Sequence, residues 1–155
     1  MLAKWVRGGC AGAIAFTVAN VVSNLLFFQI GQPILFDPTV QSEKLIAVFF
    51  EMEPLPLMFT NGALYMAIGA AIGIVHGLVF TYVEPILPRS RIRRGVAFAA
   101  ILWALMALYF EFHTPFNMFR EPISLVLLEL VFWAIVLLVE GVLISSIYGR
   151  GRSTP

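Results

Sequence analysis

The chain of 155 residues is 60% hydrophobic and 12% charged, with a formal net charge of +1 and a mean hydropathy of +0.91, whereas a soluble domain carries about 25% charged residues to coat its surface. That balance excludes an ordinary soluble domain, a disordered chain and a nucleic-acid-binding protein, and the single cysteine, Cys10, excludes an internal disulfide or a cysteine-based zinc site. An all-α integral membrane protein remains, with the lipid bilayer as its surroundings and no nucleic acid as partner.

A bilayer core takes about 20 apolar residues per helical crossing and penalises ionised groups inside it. Four stretches meet that requirement, at residues 8–30, 57–83, 95–114 and 123–148, and they make residues 1–155 a single four-helix membrane domain. The first follows Lys4 and Arg7 and reads as an uncleaved anchor, because its apolar run is long and lacks a small-x-small cleavage site. Ala11, Ala15, Ala19 and Ser23 form a smooth ridge along it, and Asn20 and Asn24 are polar residues near its far end. The loop from Gly31 to Pro56 is long for a compact bundle. Asp37-Pro38 there predicts a short interfacial helix over residues 38–51, with Asp37 as N-cap. Leu45, Ile46, Phe49 and Phe50 share one face of it; Gln41, Glu43, Lys44 and Glu51 take the other.

The second stretch carries Asn61, His76 and a ridge of Gly69, Gly73 and Gly77, and small residues at such spacing let helix backbones approach closely. In the third, Ala97, Ala100, Ala104 and Ala107 suggest a packing seam, and Pro115 is a natural stop. The fourth holds Glu129 and Glu140, about three helical turns apart on one face, which faces inward because a lipid-exposed pair of acids is unfavourable.

Lys and Arg accumulate in short cytoplasmic loops. Lys4, Arg7, Arg89, Arg91, Arg93, Arg94, Arg150 and Arg152 fall on one side and only Lys44 and Arg120 on the other. Both termini are therefore expected in the cytoplasm of an inner-membrane protein, with the helices as two hairpins. Trp5, Tyr82 and Tyr148 are expected at the inner interface. The two hairpins also look weakly duplicated, Arg7-Gly8 resembling Arg94-Gly95 and His76-Gly77 resembling Glu140-Gly141.

Depth counted from a shared interface pairs His76 with Glu140 at the inner side and groups Glu129 with Asn20, Asn24 and Asn61 at the outer side. These polar groups either hydrogen-bond across helices to set register or bind a ligand. His76 and His113 lie about 15 Å apart along the bundle, too far for one haem iron. Glu51, Glu53, Glu111 and His113 read as solvated rim residues rather than a metal site, so neither metal nor cofactor is expected. The sequence shows no nucleophile–base order or phosphate loop, which points away from an enzyme. Two functions follow: a protein that binds or transports a small molecule, ion or proton through its polar interior, or a structural subunit of a homo-oligomer or larger membrane complex.

Overall fold

The computed structural model describes residues 2–149, and the regular structure of those residues is helical throughout. In chain order they form α1 (Leu2–Ile30), the short α2 (Gln32–Leu35), α3 (Glu43–Phe50) and α4 (Leu57–Thr60), then α5 (Gly62–Ile86), α6 (Arg91–Met118) and α7 (Ile123–Gly149). Four of them, α1, α5, α6 and α7, are long and apolar enough to cross a membrane, as in a multi-pass membrane protein. Arg150 and Arg152 lie outside the described residues.

Several boundaries differ from the sequence expectation for local reasons. The loop helix begins at Glu43, not at residue 38, because Asp37 closes a tight turn instead: its carboxylate accepts from the Thr39 amide at 2.8 Å and the Thr39 hydroxyl at 2.7 Å. Those bonds hold the Asp37 carboxyl below its usual range. The second stretch breaks at Asn61, whose side chain accepts from the Leu64 amide at 3.0 Å and caps α5. Pro115 does not stop α6. Lacking an N–H for the Glu111 carbonyl, it is passed in a wider π register over Phe112–Met118.

A second π segment, Trp103–Ala107, changes which face of α6 is buried. Residues four apart drift around a 3.6-residue helix, and wider turns absorb that drift. Gly95, Ala99, Ala107, Glu111 and Pro115 thus stay buried, while Ala100 and Ala104 of the expected alanine seam are exposed.

Contact between α1 and α5 runs along backbone. A Cβ on Gly12 would lie 1.9 Å from the Gly73 carbonyl oxygen, and one on Gly77 would lie 1.9 Å from that of Gly8. The pair α6 and α7 repeats the arrangement: a Cβ on Gly141 would lie 2.4 Å from the Gly95 oxygen and 3.1 Å from the Ala99 Cβ. Gly8, Gly12 and Gly77 therefore correspond to Gly95, Ala99 and Gly141. The correspondence extends to the base of the bundle, where α1 begins and α7 ends. Arg7 of α1 stacks on Tyr148 of α7 at 4.9 Å, and at the equivalent place Arg94 of α6 bonds Glu84 of α5 at 2.7 Å. Arg94 and Tyr148, expected at a membrane surface, are both buried.

Equivalence ends higher up. Helix α1 packs extensively on α7, but α5 and α6 meet chiefly at the base, through Arg94–Glu84 and the edge-to-face rings of Phe80 and Phe98 at 5.2 Å. At the opposite end, the crown, Phe28, Phe36, Phe49, Phe50 and Phe59 form an aromatic cluster that joins α3 and its flanking loops to the end of α1.

Candidate functional site

Two buried polar centres lie inside this frame. His76 and Glu140 precede the glycines Gly77 and Gly141, so each backbone is fixed by a close helix crossing. Their side chains bridge α5 and α7, with His76 Nδ1 2.7 Å from Glu140 Oε1. Only 8% of His76 and 1% of Glu140 is exposed. Phe16 of α1 closes one side, its ring edge-on to the imidazole at 5.6 Å.

The second centre lies toward the crown. Glu129 of α7 meets Glu111 of α6 and Glu121 of the α6–α7 connection, and one oxygen of each lies within 4.8 Å of the others. The indole N–H of Trp133, one turn along α7 from Glu129, donates to Glu111 Oε1 at 2.5 Å. Gln41 fixes Glu121 from the long loop: its amide donates to Glu121 Oε1 at 2.6 Å and to the Leu35 carbonyl at 2.8 Å, while its own oxygen accepts from the Ser42 amide at 2.6 Å. A bond from the Ser42 hydroxyl to the Phe119 carbonyl ties the same loop to the α6–α7 connection. Arg120 turns that connection with a left-handed φ of 61°. Glu121 is 2% exposed, and burial raises its carboxyl pKa, reinforced by the neighbouring Glu111 and opposed by the Gln41 hydrogen bond.

The expected grouping of Glu129 with three asparagines does not form. Asn20 accepts from the Tyr65 hydroxyl at 3.1 Å, Asn24 is exposed on α1, and Asn61 is an exposed helix cap. Gly69, Gly73 and Gly77 line the contact with α1. Of the expected rim residues, Glu51, Glu53 and His113 are exposed, but Glu111 is 1% exposed and belongs to the interior. Sequence reasoning missed Glu121 and Tyr65, and it expected Gln41 on the polar face of the loop helix, whereas Gln41 precedes that helix and is buried against Glu121. One usable signal was present for Glu111, an acid inside the aromatic run Tyr109-Phe110-Glu111-Phe112.

Two cavities reach these centres. One of about 240 Å³ touches Asn20, Tyr65, Trp133 and Glu140. The other, about 200 Å³, touches Tyr65, Trp133, Glu111 and Glu129. Ser23, Tyr65 and Trp133 line both, so these three side chains form the partition between the carboxylate cluster and the Glu140 pair. Comparison of the chain with protein families, curated proteins and solved structures finds no match.

Proposed function

We propose that the chain is a non-enzymatic binding or transport protein of the inner membrane whose polar interior takes up a small inorganic cation and passes it between the carboxylate cluster and the His76–Glu140 pair. The observation that carries this reading is the shared wall of the two cavities: Tyr65 and Trp133 border both, and Glu129 and Glu140 lie on opposite sides of them. Acidic groups inside a membrane segment are unfavourable to insert and commonly mark ion pathways. Excess Lys and Arg at the base orients the bundle with its termini in the cytoplasm and the helices as two hairpins. Helix α3 then lies at the outer interface, where its phenylalanines cap the bundle.

The rival reading, a structural subunit, would use the glycine ridge of α5 and the outer loop as interfaces. That ridge is filled by α1, since a Cβ on Gly73 would stand 2.5 Å from both the Gly12 oxygen and the Phe16 Cβ.

The test is flux into proteoliposomes containing a trapped cation-sensitive dye, with Na⁺, K⁺, Ca²⁺ and Mn²⁺ supplied in turn. Wild type should move at least one of them faster than empty vesicles, and Glu129→Gln and Glu140→Gln should each slow it about tenfold. No flux with any cation, or flux indifferent to both substitutions, overturns the reading.

A further inference from the structure

We infer that Glu111, Glu121 and Glu129 form a binding site for a hard divalent cation, of the Ca²⁺, Mg²⁺ or Mn²⁺ class. The inference rests on the reading that the interior takes up a cation, and it names the class and the residues that hold it. Three carboxylates from separate stretches of chain bring one oxygen each to within 4.8 Å of the others. Hard divalent ions bind oxygen at about 2.0–2.6 Å, so ligands on opposite sides of one ion stand about 4–5 Å apart.

Clustering alone would not point to a ligand, but the hydrogen bonding around it does. Each of two carboxylates has one oxygen held by a neutral donor, Glu111 by the Trp133 indole and Glu121 by the Gln41 amide. Their other oxygens, Glu111 Oε2 and Glu121 Oε2, are buried and receive no hydrogen bond from a donor outside the cluster, on side chains that are 1% and 2% exposed. Among the described residues, no Lys, Arg or His forms a salt bridge to any of the three acids. Buried carboxyl oxygens without a donor require compensation, which a bound cation supplies. Outer donors that orient a carboxylate and leave its second oxygen free are the usual support of a metal ligand. All three donors are oxygens, which selects a hard ion over zinc or copper. The cavity of about 200 Å³ against Glu111 and Glu129 leaves space for retained waters.

Manganese is the probe. The full-length protein in lipid nanodiscs is titrated with Mn²⁺, and free ion is followed by its electron paramagnetic resonance signal. Wild type should remove one Mn²⁺ per chain, released by excess Ca²⁺ or Mg²⁺. Glu121→Gln and Glu129→Gln should each weaken binding at least tenfold, and Glu51→Gln, at an exposed acid of the long loop, should leave it unchanged. Binding is also read on unaltered protein, because Trp133 touches a ligand: Mn²⁺ should change tryptophan emission, and the response should vanish in Trp133→Phe. The site is refuted if wild type takes up no more Mn²⁺, Ca²⁺ or Mg²⁺ than Glu111→Gln/Glu121→Gln/Glu129→Gln, or shows no emission change. Monovalent flux without divalent binding would sink this site and leave the transport reading standing; divalent binding without flux would do the reverse.

Discussion

At the scale of single residues, the pair His76–Glu140 and the cap Asn61 make separable predictions. Removing one partner of a buried hydrogen-bonded pair costs about 1–3 kcal/mol because the other group is left unsatisfied, whereas polar contacts between membrane helices average about 0.6 kcal/mol. Glu140 is 1% exposed and 2.7 Å from the imidazole. His76→Ala should therefore lower unfolding stability in mixed micelles by about 2–3 kcal/mol, the upper part of the range for a buried group left unsatisfied. His76→Ala/Glu140→Leu should recover part of the loss. A value near the average for ordinary membrane contacts would instead show that the pair contributes no more than any polar contact between helices. Asn61→Ala removes the acceptor for the Leu64 amide and should lower stability by about 1 kcal/mol, with no effect on cation binding. The His76–Glu140 contact was legible because both residues lie on regular α-helix and can be counted from one end. Glu111 was not, because it sits between two π segments where α-helical counting loses phase. Glu121 lies outside the apolar stretches altogether.

Among the elements, the two glycine crossings give the sharpest contrast. Gly77→Ala places a methyl 1.9 Å from the Gly8 carbonyl oxygen, and backbone there cannot move without parting α1 from α5. Overpacking of this kind costs about 1–3 kcal/mol, and we expect the upper end. Gly62 has open space around it, so Gly62→Ala should be neutral or stabilise α5 by about 0.5–1 kcal/mol. Thermal unfolding of the two variants side by side checks the pair, and equal effects would contradict the crossing described. Small-residue spacing made the α1 and α5 faces legible, since Ala11, Ala15, Ala19, Gly69, Gly73 and Gly77 are all buried. The same rule misled for α6, where Ala100 and Ala104 of a regular alanine pattern are exposed and only Ala107 of the four is fully buried.

Across the whole molecule, helices run in the lateral order α5, α1, α7, α6, and the outer two are joined mainly at the base. Spin labels on cysteines replacing Ile68 of α5 and Leu105 of α6, both exposed, should report a broader distance distribution than labels replacing Val18 of α1 and Ile135 of α7, also exposed. The measurement needs Cys10→Ser to remove the native thiol. Equal widths would show that the upper gap is as firmly closed as the α1–α7 contact. The correspondence of α1 and α5 with α6 and α7 has a further consequence for the pair at its centre. Positions 76 and 140 are counterparts, and their side chains touch each other. Whatever occupies such a place in an assembly of two identical half-chains must face its own copy, histidine against histidine or acid against acid. Joining both halves in one polypeptide removes that constraint, and only then can an acid and a base stand together at matching positions.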